Sequence, residues 1–462
     1  MSRRRRNVRL REPPDSGRLP KMKKILFLFV LAFLPLGAGE FRAAATADIH
    51  GNLRNLAALA PAIRREKPDI LVDAGDLIGG DAFSERDGGR TMVDALNLLH
   101  YAFRVPGNHD FETAPGDFHE LFRRFRGVTL GSDWRWGDVS GVPFRIVTKG
   151  KFRCAVVGLT EPGIQRRHLP GAGPRFTDWE TALRKTLDGI RRQQVSFILL
   201  VWHNGREARP CGIAHVIRNF PEIDAVVAAH SHRADPGSRE GNCYVVQPGA
   251  YALSAAVLQI LYDDRSGKVL SIRSRLLSPD PENPDPELSR LARRSAGFWY
   301  ELGKKRICRP GELAPARFPD FAAEALSRAG GTPGAVFVCR IPGNGSVPPD
   351  SLAALHRLLP FRNVLCTVEL EREELREFMT ELSRNASRFN RRIAVRGFSW
   401  QPGTRKRPPF FKAPMRLRLT LTDHTLLSSA VLRRVMELRP ECWRRLDIIE
   451  RDAVASFLSS RL

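Results

Sequence analysis

Five times in the first 232 residues a short apolar run stops abruptly at Asp, Asn or His. Phe41 to Ala47 ends at Asp48-Ile49-His50-Gly51-Asn52, and Ile70-Leu71-Val72 runs into Asp73-Ala74-Gly75-Asp76. Phe103-Arg104-Val105 leads into Pro106-Gly107-Asn108-His109-Asp110-Phe111-Glu112. Phe197–Val201 ends at Trp202-His203-Asn204-Gly205, and Asp224–Ala228 at Ala229-His230-Ser231-His232. Runs this short and rich in β-branched and aliphatic residues read as buried strands. Helical patterns at Leu53–Arg65 and Thr91–His100 separate them, which predicts an α/β layered fold with the strands inside. In such sheets ligands gather at the carboxyl ends of the strands, so the five polar clusters are expected to meet.

The donor types say what would bind there. Asp48, His50, Asp76, Asn108, His203, His230 and His232 offer oxygen and nitrogen but no thiolate. That mixture suits Mn, Zn, Fe or Co better than soft copper or an all-oxygen calcium site. One carboxylate can bridge two cations, and Asp76, turned sharply after Gly75, is the natural bridge. Two cations roughly 3.5–4 Å apart can clamp the attacking and leaving oxygens of an in-line phosphoryl displacement. His109 can hold or donate a proton, with Glu112 three positions on to orient it. Each cluster alone would serve equally well as a plain turn.

Asp48-x-His50, Gly75-Asp76, Gly107-Asn108-His109-Asp110, His203-x-Gly205 and His230-x-His232, in this order, resemble the calcineurin-like metallophosphoesterases. Gln247-Pro248-Gly249-Ala250-Tyr251, before Ala255–Tyr262, resembles the bacterial 5′-nucleotidase and UDP-sugar hydrolase branch. The likeness covers about residues 42–278. It implies a four-layer α/β/β/α sandwich followed by a smaller α+β C-terminal domain. It further implies one metal held by Asp48, His50, Asp76 and His232 and another by Asp76, Asn108, His203 and His230. A metal-bound water or hydroxide would attack phosphorus. His109 would stabilise the transition state or protonate the leaving oxygen. The family usually has Asn-His-Glu-Phe followed by Asp; here the acidic pair is swapped to Asp110 and Glu112.

The expected organisation is a basic extension and signal peptide (1–39), a catalytic domain (40–278), a Pro/Asp-rich linker and helix (279–312) and a divergent substrate domain (313–462). Pro279–Pro286 reads as a semi-rigid spacer. Beyond it, helices are expected near Glu287–Arg306, Phe318–Ala329, Ser351–Leu358 and Glu371–Asn385. Strands are expected at Ala335–Arg340, Asn363–Glu369, Arg392–Val395 and Met415–Leu421. Leu359-Pro360-Phe361-Arg362-Asn363 resembles the Pro-Phe-x-Asn turn of the nucleotidase C-terminal domain. The family's Asn-Gly-Gly-x-Arg segment is replaced by Cys339-Arg340-Ile341-Pro342-Gly343-Asn344-Gly345, which leaves Arg340 as the candidate substrate arginine. The family's Gly-Gly-Asp-Gly loop has no counterpart, and Leu426–Trp443 stands in its place. Phe398, Trp400, Phe410 and Phe411 are candidates for an aromatic base clamp, with core packing as the plainer use.

Lys23-Lys24, the apolar run Ile25–Leu34 and the small residues Gly37-Ala38-Gly39 form a secretory signal pattern. Export to the periplasm or outside the cell is therefore expected, with no stable membrane span after cleavage. Met22 is a better start for that signal than Met1. Seven cysteines without a C-x-x-C pair argue against a disulfide framework or a zinc ribbon. Cys211 and Cys243 are the candidate pair, and buried thiols are the expectation. The formal charge of +24 is spread mostly as Arg, with no basic and aromatic block of the kind that reads nucleic acid.

The function expected is an exported two-metal phosphoesterase acting on a phosphomonoester or phosphoanhydride, nucleotides first. The alternatives are another small ester on the same fold (a cyclic nucleotide or a thiosulfate ester, for example) and a metal-retaining binding protein.

Overall fold

The computed structural model describes residues 37–164, 173–207, 212–309, 313–340, 350–388, 391–402 and 410–460. The signal pattern up to residue 36, Cys211, and 341–349 after Arg340 lie outside them.

Alternation along each strand builds the first region. Phe197, Leu199 and Val201 point into a core shared with Cys154, Val156, Ala43 and Ala45. Ile198, Leu200 and Trp202, one residue out of phase, point into a different core with Ala155, Val157 and Leu159. Strands apolar on both faces must be covered on both faces, so two sheets stack and helices close the outside. The first sheet has the order Val269–Leu277, Ala255–Asp263, Ala38–Thr46, Ile70–Asp73, Phe103–Arg104, Val128–Thr129. The second has the order Ala234–Glu240, Cys243–Pro248, Ala225–Ala228, Phe197–Trp202, Phe152–Leu159, Phe144–Lys149. Helices Leu53–Glu66, Arg90–Leu98 and Pro286–Lys304 pack on the first sheet. Helices Trp179–Arg191 and Ile213–Asn219 pack on the second. This is the four-layer α/β/β/α sandwich, and a smaller α+β region follows it.

Ala38–Thr46, Ile70–Asp73 and Phe103–Arg104 are parallel neighbours, so their carboxyl ends share one edge. Phe152–Leu159, Phe197–Trp202 and Ala225–Ala228 are likewise parallel. That is what gathers the polar turns.

The C-terminal region centres on five strands in the order Arg391–Arg396, Gly334–Arg340, Arg416–Thr422, Val364–Glu371, Trp443–Ile449. Leu426–Trp443 includes the end of helix Asp423–Ser428 and all of helix Ala430–Leu438. The latter buries Val431, Leu432, Val435 and Met436 against the sheet. Trp400 and Phe411 pack edge to face at 5.9 Å, and Trp400 Nε1 donates to Ser383 Oγ at 2.9 Å. With Phe398 beside them they line this region's own core, and Phe410 is half-exposed.

The Pro/Asp stretch does not run free as a spacer. Asp280 N and Asp285 N donate to Ala58 O and Ala57 O, each at 2.8 Å, which ties it along helix Leu53–Glu66. Asp285 then caps helix Pro286–Lys304 by accepting from Glu287 N and Leu288 N, and pairs with Arg64. From that helix Trp299 Nε1 donates to Asp81 Oδ1 at 3.0 Å. The C-terminal region is fastened by Arg451, which donates to Glu85 Oε2 at 2.6 Å and to Leu359 O at 3.1 Å. Both charged side chains are largely buried, and burial raises the Glu85 pKa while Arg451 opposes it.

Removing one member of such a pair strands the other charge away from water. Arg451→Ala should lower the unfolding free energy by about 3 kcal/mol. Glu85→Gln combined with Arg451→Met should cost clearly less. Thermal unfolding of the two proteins, followed by circular dichroism, checks the order.

Candidate metal centre

The turns at the strand ends are backbone-strained where the donors sit. Asp48, His50, Asp76, His230 and His232 all have left-handed backbones, with φ between +49° and +66°. Each such non-glycine residue costs roughly 1–3 kcal/mol, and such strain collects at functional sites. The turns also interlock. Asp48 N donates to Gly75 O at 2.8 Å and His50 N to Asp76 O at 3.0 Å. Gly75, at φ +100°, leaves no room for a side chain: a Cβ there would lie 2.6 Å from His203 Nδ1. A Cβ on Gly107 would run into Asp76 Oδ1.

Two donor clusters result. Asp48, His50, Asp76 and His232 converge in one, and Asp76, His203 and His230 in the other, so Asp76 belongs to both. His203 Nε2 lies 3.2 Å and His50 Nε2 3.8 Å from Asp76 Oδ2. His232 Nε2 is 3.5 Å from Asp48 Oδ1. Asn108 opens the short helix His109–Glu112, whose first backbone N reaches the shared Asp76 carboxylate.

The residues present fit divalent ions. His50 Nδ1 donates to Gly79 O at 2.9 Å, so its Nε2 carries a lone pair. That lone pair faces His232 Nε2 at 3.1 Å, an approach that calls for a cation between the rings. His203 Nδ1 likewise donates to Ala74 O at 2.7 Å, turning Nε2 toward Asp76. Asn108 Oδ1 is buried with no hydrogen-bond partner among the described residues. A buried amide oxygen rarely goes unused, and a metal ion is a partner of the right chemistry. These are two plausible metal-binding clusters of Asp and His that match a dinuclear centre.

Electrostatics reinforce this. Burial pushes the His50 pKa down to about 4, so the ring is neutral and able to ligate near pH 7. Burial also disfavours charge on His203, but Asp76 and Asp48 outweigh it and raise its pKa to about 10. Burial would neutralise Asp76 too, yet the His203 and His109 charges hold its carboxyl well below the usual range. Asp48 is lifted to about 7 by burial, with His203 pulling the other way.

His109 lies on the rim of the clusters. Its backbone N donates to Asp76 Oδ1 at 2.9 Å, and Glu112 Oε2 lies 2.8 Å from its Nδ1. The swapped carboxyl groups thus divide the work. Asp110 is buried and accepts from Gly107 N at 2.8 Å, Asp76 N at 3.0 Å and Ile78 N at 3.3 Å. It braces two donor turns against each other, while Glu112 faces His109. The strand reading missed Glu161, whose Oε1 lies 3.7 Å from His230 Nε2. The signal was there: Phe152–Leu159 is another apolar run, and it ends at Thr160-Glu161. Arg340 ends the strand Gly334–Arg340, and its side chain lies outside the described residues. Cys243 is a buried thiol. No helix among the described residues is long and apolar enough to cross a membrane.

Comparison with known proteins agrees with this geometry. The calcineurin-like phosphoesterase family profile matches residues 41–234. A 5′-nucleotidase of Bos taurus is 26% identical over 301 residues, covering 58% of this chain and 52% of that protein. The chain thus spans about half the length of the curated relatives it matches first. A solved 5′-nucleotidase precursor from Thermus thermophilus superposes with a TM-score of 0.67 at 17% identity, over 92% of this chain and 97% of its own. A sulfate thiohydrolase from the same organism gives 0.63 at 16%, over 89% and 81%. At such identities the structural likeness is one of fold.

Because His203 holds its proton to about pH 10 in the metal-free chain, a divalent ion must displace that proton to bind. Calorimetric titration of Mn²⁺ into metal-free protein at pH 7.5, in buffers of different ionisation enthalpy, should show about one proton released at this cluster. The apparent affinity should rise with pH between 7 and 9. In the same titration Asp76→Ala should lose both binding events, since its carboxylate is common to the two clusters.

Proposed function

Since residues 41–234 form a calcineurin-like metallophosphoesterase domain related at low identity to 5′-nucleotidase-like proteins, we propose that this chain is a metal-dependent hydrolase of phosphate esters or phosphoanhydrides. The observation that carries the reading is the pair of donor clusters joined through one buried carboxylate, with an imidazole on their rim. Asp48, His50, Asp76 and His232 would hold one ion, and Asp76, Asn108, His203 and His230 the other. Divalent ions bound there would supply water activation and neutralise charge on the phosphoryl oxygens.

The chain's own residues supply the rest. Water oxygen forms the new bond to phosphorus on one side as the bond to the leaving oxygen breaks on the other. The water's proton passes to solvent. His109 gives the leaving oxygen a proton from Nε2, because Nδ1 is engaged by Glu112. Glu112 thereby holds Nδ1 and leaves Nε2 as the nitrogen that faces the reaction. Asp110 acts one step back, holding the Gly107 and Asp76 turns in register.

Nucleotides are the first substrates to try, on the strength of the relatives' names. A second reading, a non-nucleotide ester, gains support from Trp400 and Phe411. Both rings are committed to the C-terminal core instead of standing apart as a base clamp. The thiohydrolase likeness also means that fold alone does not choose the ester. We propose export as well, on the apolar run Ile25–Leu34.

The test is residues 40–462 loaded with Mn²⁺ or Co²⁺ and assayed on p-nitrophenyl phosphate, bis-p-nitrophenyl phosphate and AMP. Turnover of at least one is expected, and a fully loaded protein inert on every ester in a wider panel would overturn the reading. His109→Ala should keep its metal content and lose roughly 10²–10⁴ in kcat.

A further inference from the structure

The C-terminal region reaches the rim of the metal centre with one ring. Phe361 lies flat on His109, with centroids 4.5 Å apart and planes only 5° from parallel. It is more than one-third exposed, so burial in its own region is not what holds it there. The turn that carries it is fixed at both ends instead. Leu359 O accepts from Arg451, the residue that also grips Glu85 in the first region. Asn363 O accepts from Glu450 N at 2.9 Å, and Asn363 Nδ2 donates to Glu450 Oε2 at 2.9 Å. Val364 N donates to Asp423 Oδ1 at 3.0 Å.

An imidazole that transfers a proton in line needs both its edge and its plane defined. Glu112 fixes the edge, through Nδ1. His50 meets the ring edge-on, with centroids 5.4 Å apart, and neither contact lays a flat face against rocking about the line joining Nδ1 to the carboxylate. A flat aromatic neighbour removes that rocking, because tilting the ring sacrifices the stacked contact. The plane of the Nε2 proton is then set from the other region of the molecule.

We infer that Phe361 is a positioning residue for His109, so that the C-terminal region completes the acid of the active site. This rests on the reading of His109 as the group that protonates the leaving oxygen. The stack should matter most where that proton matters most, in esters with a poor leaving group.

The experiment compares wild type, Phe361→Leu and Phe361→Tyr, all Mn²⁺-loaded, on p-nitrophenyl phosphate and on an alkyl phosphate such as glycerol 2-phosphate. Phe361→Leu keeps apolar bulk without a flat face. It should lower kcat on the alkyl ester roughly ten- to a hundredfold, while KM and the rate on the aryl ester change by no more than about threefold. Phe361→Tyr should recover most of the loss. In a His109→Ala background Phe361→Leu should have no further effect. An independent arm uses histidine-labelled, metal-free protein: the His109 ring protons should move downfield in Phe361→Leu as ring-current shielding disappears. Equal loss on both esters, an undiminished loss without His109, or unmoved His109 signals would each overturn the inference. A wild-type enzyme inert on every ester would fail the functional reading itself, an outcome distinct from these.

Discussion

Asp76 is the constraint on which the site depends. Its carboxylate is almost wholly buried yet keeps its charge, because the His203 and His109 charges outweigh the cost of burial. An unpaired carboxylate in that position would be driven neutral. The surrounding strain follows from the same demand. To bring donors from five turns around one carboxylate, the backbone at Asp48, His50, Asp76, His230 and His232 adopts left-handed geometry. Gly75 and Gly107 must lack side chains so that His203 and Asp76 can close on each other. The two sheets repay that strain with a continuous apolar core directly beneath, which includes Ala45, Val72, Val105, Val201 and Val227.

Much of this was legible in the chain because strand periodicity and donor chemistry coincide. Phe197–Val201 alternates between two cores, and the next residues carry the donor. The parallel runs Ala38–Thr46 and Ile70–Asp73 end together, and each run ends near an Asp. What escaped did so for physical reasons. Glu161 ends a strand as the others do but has no His beside it, and a lone Glu after Thr looks like any loop. Asp110 and Glu112 appear in sequence as a swapped pair competing for one job. Only the backbone path shows that Asp110 turns inward to three amide N–H groups while Glu112 turns toward His109. The docking of Pro279–Pro286 was illegible because it is made by the carbonyls of Ala57 and Ala58, which carry no side-chain signature.

The C-terminal half was harder to read, since its role is expressed in contacts and not in motifs. Arg451 sits in an ordinary helix, Glu450–Ser459, yet it joins two regions by a buried charge pair and a carbonyl contact. Leu426–Trp443 looks like lost recognition machinery, but its second helix places four apolar side chains in the sheet's core.

These contacts also argue about motion. A pair of regions joined by a polar, hydrated seam can slide at little cost. Here separation would expose the Glu85 and Arg451 charges, release Trp299 from Asp81 and unstack Phe361 from His109. Parting the C-terminal region from the first breaks the charge pair and the stack together, because Arg451 holds both Glu85 and the Leu359 carbonyl at the base of the Phe361 turn. The geometry of His109 is accordingly tied to whether that seam is made.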